Sequence, residues 1–336
     1  MAAVLPAVSF ASLAAGRSHF HIGSAVGRRA AATILVSDPT DPRLVLYRAR
    51  RLRDPLKYQV QVRALAERVL ESQLPPQLPL NQLGCVIGIH YSRACLKRLL
   101  AARDGGRRIE VASALLPARA AATGSEAAEL AFKAAPVVYE VDDALYEAEF
   151  QREGSAQAPE MHTCSFVVAF PVQRALHELA PPFVVLDGLV SSQNVGQILR
   201  TALHLGVTSV VASRASWNSL TGRAARVSMG WMYHMDFHLA ESLPETLSAL
   251  KASGVRLYAA DSHFKEPVAP HKPHGDPRWA LIVGHEDEGV SSQAEQLCDH
   301  RVCVPQRLGE SLNVAHATAI CLYELSKHCD GNEQGT

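Results

Sequence analysis

The sequence predicts an α/β protein whose C-terminal half contains a parallel β-sheet covered by helices on both faces. Segments with helical spacing, such as 194–206 and 244–254, end in a glycine, which is a common helix stop. They alternate with short apolar runs that are typical of buried strands, at 183–188, 208–213, 256–261, 280–285 and 301–305. Strands that alternate with helices pair in parallel, because each crossover helix packs on a face of the sheet.

A smaller α/β domain is predicted over residues 38–173. The segment 62–74 has helical spacing, and the Ala-rich stretch 112–135 is predicted to be helical in part. The polar segment 151–163 contains Gly and Pro and is predicted to be a loop. Strands are predicted by three apolar runs, LGCVIGIHY (83–91), PVVYEV (136–141) and SFVVAF (165–170). The Pro-containing stretch LAPPF (179–183) then links this domain to the second one, residues 180–330.

The N-terminal 37 residues contain three Arg and no Asp or Glu. This composition is typical of a transit peptide that directs a protein to mitochondria or plastids, and equally of an ordinary terminal extension. In the second case the protein stays in the cytoplasm. The sequence leaves both interpretations open.

Charge and cysteine usage exclude several classes of protein. No apolar run approaches the roughly 20 residues that cross a membrane. The seven cysteines form no Cys-x-x-Cys pair, which argues against a disulfide framework and a zinc site. The net charge is zero, but residues 1–110 hold 17 Lys and Arg against 7 Asp and Glu. This basic first third of the chain fits a polyanion-binding surface, and it also fits a solvated Arg-rich face.

Three loops follow strands of the predicted parallel sheet, at 187–194, 284–292 and 305–313. Ligands of such sheets bind at the carboxyl ends of the strands, so these loops are the predicted site. They contain no dinucleotide-binding glycine pattern, no P-loop and no nucleophile elbow. No metal site is predicted, because no cluster at ligand spacing accompanies the acidic run 286–288. The loops favour an uncharged or zwitterionic ligand held by backbone groups.

Three segments together resemble the motifs of the SpoU/TrmH-type RNA 2′-O-ribose methyltransferases of the SPOUT superfamily. They are NVGQILRTALHLGV (194–207), LIVGHEDEGVS (281–291) and VPQRLGESLNVAHATAICLYE (304–324), and SMG (228–230) matches a further element. The resemblance covers roughly residues 180–328. It implies a trefoil knot in the C-terminal domain, S-adenosylmethionine as cofactor, ribosomal or transfer RNA as substrate, and a homodimer. More weakly, DPRLVLYR (41–48) and the elements after it resemble the family's RNA substrate-binding domain.

The resemblance also implies roles for individual residues. The backbone of Gly284, Val304 and Leu312 is expected to contact the adenine and ribose of the cofactor. A glycine at 284 suits such a role, because the absence of Cβ allows backbone and ligand to approach closely. His285 stands where the family commonly has a small residue, which raises the alternative of an inactive RNA-binding or assembly factor. Methylation of a base instead of a ribose is a second alternative.

The catalytic residues implied by the resemblance are Arg200, Asn194, Ser311, Asn313 and Glu286. Because a guanidinium stays protonated near neutral pH, Arg200 is expected to hold the phosphate next to the target ribose and to stabilise the developing alkoxide. Asn194 is expected in the loop before its helix, where it would lie next to Arg200. Ser311 and Asn313 are expected both to cap the last helix and to face the cofactor, and Glu286 is expected to brace its loop.

RNA contacts are expected from the basic segment 41–55, which is predicted to be extended, and from the second copy of the dimer. The candidate side chains are Arg43, Arg48, Arg50, Arg51 and Arg53.

Overall fold

Two β-sheets, one in each half of the chain, organise the fold. The computed structural model describes residues 31–44, 47, 86–90, 93–150, 164–260, 278–305 and 311–327. The predicted transit peptide or extension up to residue 30, the helix at 62–74 and the loop at 151–163 lie outside these residues.

The first sheet is mixed and has the strand order β1-β4-β3-β5-β2. Neighbours β1, β4 and β3 run parallel, whereas β5 is antiparallel to both β3 and β2. The strands are β1 (Ala32–Val36), β2 (Val86–His90), β3 (Glu110–Pro117), β4 (Val137–Val141) and β5 (Ser165–Ala169). The helices are α1 (Arg93–Asp104), α2 (Ala118–Ala122), α3 (Glu126–Ala134) and α4 (Asp143–Glu149).

The three strands predicted in the first half are confirmed as β2, β4 and β5, but two other predictions are wrong. Ala32–Val36 was expected in the N-terminal extension and instead forms an edge strand, which the β-branched and apolar run ATILV favours. Pro42–Leu44 was expected to be extended and forms a 3-10 turn, because the Asp41 carboxylate accepts the Arg43 N–H at 2.8 Å. The Ala-rich stretch is helical in α2 and α3, after its first six residues complete β3.

The second sheet is parallel throughout, with the strand order β11-β9-β10-β6-β7-β8. Its strands are β6 (Phe183–Leu186), β7 (Ser209–Ser213), β8 (Asp236–Ala240), β9 (Arg256–Ala260), β10 (Trp279–Val283) and β11 (His300–Val302). Its helices are α5 (Ser192–His204), α6 (Arg214–Asn218), α7 (Gly222–Val227), α8 (Leu243–Ala252), α9 (Ser292–Leu297) and α10 (Val314–Ser326). Among the described residues, no helix is long and apolar enough to cross a membrane.

The parallel sheet is therefore confirmed, and each of its five predicted strands is present. The sequence did not predict β8, whose run DFHLA mixes polar and apolar residues because Asp236 and His238 are only partly buried. The two short helices α6 and α7, which fill the connection from β7 to β8, were also missed. Completely buried strands such as β10 are continuous apolar runs and were easier to recognise.

A shared apolar core joins the two sheets. Leu99 on α1 belongs to the same buried cluster as Trp217 and Phe237 of the second half. At this seam Gly230 has a φ of +82°, and a Cβ there would lie only 2.9 Å from the Cα of Cys95. Glycine is required at position 230 for both reasons, and the two halves pack in close contact.

Candidate functional site

The three predicted loops meet at the carboxyl edge of the parallel sheet, and Glu286 joins the first two. One oxygen of its carboxylate accepts the backbone N–H of Ser191 at 3.1 Å and the side-chain amide of Asn194 at 3.0 Å. Its other oxygen lies 3.4 Å from the N–H of Val190. Glu286 thus braces the loop before α5, whereas it was expected from the sequence to brace its own loop.

The third loop joins the same network through an amide pair. The Asn313 amide donates to Asn194 Oδ1 at 3.2 Å, while Asn313 Oδ1 accepts the N–H of Ala315 at 2.9 Å. Asn313 therefore caps α10 and contacts the first loop at the same time. Asn194 uses its amide group toward Glu286 and its oxygen toward Asn313, so one buried side chain links all three loops.

Hydrogen bonding lowers the pKa of the Glu286 carboxylate. Partial burial by itself would raise the pKa of Glu286, but the bonds from Asn194 and from the N–H groups of Ser191 and Val190 outweigh it. The pKa of Glu286 therefore lies below its ordinary value of 4.5. The side chain is a stable anion near neutral pH and a poor proton donor there.

A pocket opens beside this network. Its lining includes the predicted cofactor residues Gly284, Val304 and Leu312, together with Ser311. Its wall continues with Ala260, His285, Glu286, Asp287, Gly289, Val302, Val314, Ala317, Thr318 and Cys321. Burial raises the pKa of the Cys321 thiol to about 12, so this side chain is a neutral part of the wall. No lysine or arginine is among these described lining residues, and the charged groups present are acidic.

The protein's own backbone requires glycine at position 284. A Cβ at this position would lie 2.0 Å from the carbonyl carbon of Gly289 and 2.1 Å from the nitrogen of Val290. The expectation that glycine is needed for approach to a ligand is therefore incomplete, because the folded-back loop already forbids a side chain. His285 and Gly289 close this loop with a pair of backbone hydrogen bonds of 2.9 and 3.0 Å.

His285 lies at the pocket wall but is held by its own loop. Its Nδ1 accepts the backbone N–H of Asp287 at 3.1 Å. Its Cβ lies 3.7 Å from where a Cβ of Gly188 would stand. The imidazole therefore contributes to the shape of the loop as well as to the wall of the pocket.

Arg200 does not lie next to Asn194, and this prediction is wrong. Helix α5 begins at Ser192 and is capped by the Ser191 hydroxyl, so Asn194 lies in the first helical turn and not in the preceding loop. Six residues along an α-helix correspond to about 600°, which places Arg200 about 120° away around the axis. Asn194 is buried against the network, whereas Arg200 is exposed and is absent from the pocket lining.

Two residues of the site were missed in the sequence. Ser191 caps α5, and the buried Asp187 carboxylate accepts the N–H of Ser291 at 2.8 Å, tying the first loop to the end of the second. The signal for Ser191 was available, because Ser is favoured at a helix start. Asp187 gave no comparable signal, since a carboxylate after a strand is common.

The arginines predicted to bind RNA lie at positions 43–53, far along the chain from the three loops of the site. The Arg43 guanidinium is paired with Asp41, with Nε at 2.9 Å from a carboxylate oxygen, and lies 5.7 Å from the centre of the Tyr139 ring. This pairing neutralises Arg43 and weakens it as a phosphate contact. Arg48, Arg50, Arg51 and Arg53 lie outside the described residues. No cluster of His, Cys, Asp and Glu suited to a metal occurs in the part of the chain that the structure describes.

A parallel sheet with a pocket at its carboxyl edge is an arrangement that ligand-binding α/β domains share. Residues 181–323 match the model of the SpoU rRNA Methylase family. The resemblance read from the three motifs is thereby confirmed.

Curated relatives match the same region. An uncharacterized tRNA/rRNA methyltransferase of Mycobacterium tuberculosis (strain ATCC 25618 / H37Rv) is 37% identical over 146 residues, which are 43% of this chain and 51% of that protein. The 23S rRNA (guanosine-2′-O-)-methyltransferase RlmB of Bordetella pertussis is 33% identical over 150 residues, which are 44% of this chain and 60% of the relative. The chain spans about half the length of the curated relatives it matches first.

Solved structures share the fold over a longer stretch. An rRNA methyltransferase from Sinorhizobium meliloti aligns with a TM-score of 0.63 and 20% identity, over 88% of this chain and 98% of that one. An AdoMet-bound rRNA methyltransferase from Sinorhizobium meliloti aligns with a TM-score of 0.61 and 19% identity, over 88% of this chain and 98% of that one. These similarities establish the α/β fold.

Proposed function

We propose that this chain transfers a methyl group from S-adenosylmethionine to a ribose 2′-hydroxyl of ribosomal or transfer RNA. The observation that carries the proposal is the network of Asn194, Glu286 and Asn313. It joins three loops, separated by up to 119 residues in the chain, beside one pocket. The names of the relatives, which include a 23S rRNA 2′-O-methyltransferase, support the same reaction.

The pocket has the chemistry that S-adenosylmethionine requires. Apolar side chains from Val302, Val304, Leu312 and Val314 suit the adenine ring, and backbone groups beside Gly284 suit its polar edge and the ribose. The cofactor's sulfonium and ammonium groups are cationic, so an acidic wall without lysine or arginine among its described residues favours them. When bound, the cofactor supplies an electrophilic methyl group.

The protein's own part in the reaction is to position the reactants. Glu286 and Asn194 hold the loops in one arrangement, and Ser311 and Asn313 present their polar groups at the start of α10. Arg200 stands on the exposed face of α5, where it can pair with an RNA phosphate and stabilise the charge developing on the attacking oxygen. A ribose hydroxyl is a poor nucleophile near neutral pH, so such positioning accounts for much of the rate.

The proposal includes a knotted, dimeric methyltransferase domain. Helix α10 packs against α5, β9 and β10, as a helix passing through the preceding loops would. One face of α10 leaves Ile320 and Tyr323 exposed at 42% and 52%, a surface suited to a second copy of the chain. The first domain is proposed to bind the RNA. The acid-free N-terminal segment supports delivery to an organelle.

The alternative of an inactive assembly factor rests on His285. Its imidazole occupies part of the pocket wall where smaller residues are common in the family. Calorimetric titration with S-adenosylmethionine separates the two proposals, because an assembly factor would give no binding heat although the protein is folded.

The main experiment identifies the methylated atom. RNA from cells lacking the gene is incubated with the protein and methyl-labelled S-adenosylmethionine, then digested to nucleosides. Label in a 2′-O-methylated nucleoside is the expected result. Label on a base would replace the proposed reaction with base methylation, and absence of label with every cellular RNA would reject it.

A further inference from the structure

A long acid-free stretch lies next to the site. Residues 188–235 contain no Asp or Glu in 48 positions, and they carry four Arg and no Lys. The C-terminal half as a whole is slightly acidic, so this concentration of positive charge is local. The stretch includes α5, α6, α7 and the 3-10 turn Trp231–His234.

The exposed face of α5 presents one polar stripe of this stretch. Gln193, Gln197, Arg200 and His204 lie within about 60° of one another around the helix axis, because each residue turns the helix by about 100°. From Gln193 to His204 the stripe is about 16 Å long, at 1.5 Å per residue. One end of the stripe, at Gln193, is adjacent to Asn194 of the candidate site, and the stripe extends from there along α5 to His204.

Neighbouring elements extend the stripe at both ends. Near the site, the Arg223 guanidinium on α7 donates to Gln193 Oε1 at 2.7 Å. At the far end, the ring of Trp231 meets His204 edge-on at 5.1 Å between centroids. Across the seam, Arg98 on α1 places its guanidinium carbon 4.5 Å from the centre of the Trp231 ring. Both halves of the chain thus contribute to one continuous surface.

The charge of this surface is not neutralised by its surroundings. Among the described residues, none of Arg200, Arg223 and Arg98 has a carboxylate partner, and the Arg98 guanidinium donates to the backbone oxygen of Met229. The pKa of His234 next to it is lowered, first by burial and then by the positive charges of Arg107 and Arg98. Guanidinium groups without a carboxylate partner among the described residues lie on this surface and favour an anionic ligand.

We propose that the surface formed by Gln193, Arg200, His204, Arg223, Trp231 and Arg98 binds single-stranded RNA and leads it to the site. Guanidinium groups pair with phosphates, and an aromatic ring stacked with arginine accepts an unpaired base whatever its sequence. This combination distinguishes the ligand from an acidic peptide, which has no bases to stack. The inference rests on the proposed function and locates its substrate.

Tryptophan fluorescence tests the contact directly. Trp217 and Trp279 are buried, whereas Trp231 is partly exposed, so it is the tryptophan that a ligand can reach. A short oligouridylate is expected to quench the emission of the wild-type protein, and Trp231→Phe is expected to abolish the quenching. Quenching that persists in Trp231→Phe would overturn the assignment.

Binding measurements test the energetics with a matched control. Affinity for a fluorescein-labelled oligouridylate is measured by anisotropy over a series of salt concentrations. Arg223→Gln and Arg98→Gln are each expected to weaken binding and to reduce the slope of log K against log salt by about 0.7. Trp231→Leu is expected to weaken it about 5-fold or more. Arg214→Gln removes another exposed arginine, ion-paired with Glu241 and outside the surface, and is expected to change neither quantity.

The outcomes separate this inference from the proposed function. Unchanged affinity in Arg223→Gln, which replaces an exposed side chain and preserves folding, would overturn the inference while methyl transfer by the wild type still stood. Equal binding of duplex RNA, or an equal loss in Arg214→Gln, would also overturn it. If these variants weaken RNA binding but the wild type binds no S-adenosylmethionine, the surface is supported and the proposed reaction fails.

Discussion

Replacement of Glu286 is predicted to loosen the three-loop network in graded steps. In Glu286→Ala the N–H of Ser191 and the amide of Asn194 lose an acceptor at 3.1 and 3.0 Å. Hydrogen bonds to a charged group contribute about 1.5–3 kcal/mol each, and partial exposure of the carboxylate favours the low end. The expected loss in free energy of unfolding is therefore about 3 kcal/mol.

Glu286→Gln is expected to cost less. Both of the shorter bonds go to the same oxygen, which the glutamine amide can supply, and only the charge and the 3.4 Å contact with Val190 are lost. The expected loss is about 1 kcal/mol. Glu288→Ala removes an exposed carboxylate from the same loop and serves as the matched control.

Urea unfolding and calorimetry with S-adenosylmethionine measure the two effects. The predicted order of stability is wild type and Glu288→Ala together, then Glu286→Gln, then Glu286→Ala, with cofactor affinity falling in the same order. If Glu286→Ala unfolds within about 0.5 kcal/mol of wild type, the size of an ordinary surface substitution, the bracing role is refuted.

The same carboxylate predicts a dependence on pH. Its pKa is lower in the folded state than its ordinary value of 4.5, so the folded protein binds this proton less readily than the unfolded chain. Its stabilisation is complete above 4.5 and is lost as the pH falls through the folded-state pKa. The difference in stability between wild type and Glu286→Gln should therefore shrink with acidification below 4.5.

Three further substitutions test other parts of the site, and Gly206→Ala serves as a control for the first. Gly284→Ala should cost more than about 3 kcal/mol and abolish cofactor binding, because its Cβ would overlap the backbone of Gly289. In contrast, Gly206→Ala has open space at a φ of +84° and should cost only about 1–2 kcal/mol in thermal unfolding. Arg200→Lys should lower kcat by about 100-fold while calorimetry shows unchanged cofactor affinity; near-normal turnover would contradict its phosphate-binding role. Asn313→Ala should lower the free energy of unfolding by about 1 kcal/mol, because the cap of α10 is lost, and should weaken cofactor binding. Unchanged cofactor affinity would show that the capping residue plays no part in the cofactor site.

The sequence predicted those parts of the fold where one local signal dominates. Continuous apolar runs marked β6 and β10, and runs with apolar centres marked β7 and β9, because strands buried on both faces contain few polar residues. The mixed run of β8 lacked such a signal, and the apolar run of β1 was assigned to the N-terminal extension. The expectation for Asn313 combined a local cap with a resemblance over the whole motif, and the structure places its side chain in both the cap and the inter-loop network.

Other features depend on neighbours that the sequence does not reveal. Asn194 was expected in the loop before α5, although Ser191 offered a better cap. Because the helix begins at Ser192, Asn194 lies in its first turn and Arg200 projects from a different side of the helix. Glycine is required at 284 because the chain folds back and places the backbone of residues 289 and 290 against it. No local sequence pattern predicts this contact. The acid-free surface around α5 is a local feature of a C-terminal half that is slightly acidic overall, so the net charge of that half does not reveal it.

Hydrogen exchange measured by mass spectrometry with and without S-adenosylmethionine tests most directly whether the three braced loops form the cofactor site. The predicted result is slower exchange in peptides covering residues 187–195, 283–291 and 311–318, with no change in the strands of the first sheet. Protection confined to other parts of the chain, or no protection at saturating cofactor, would contradict the account.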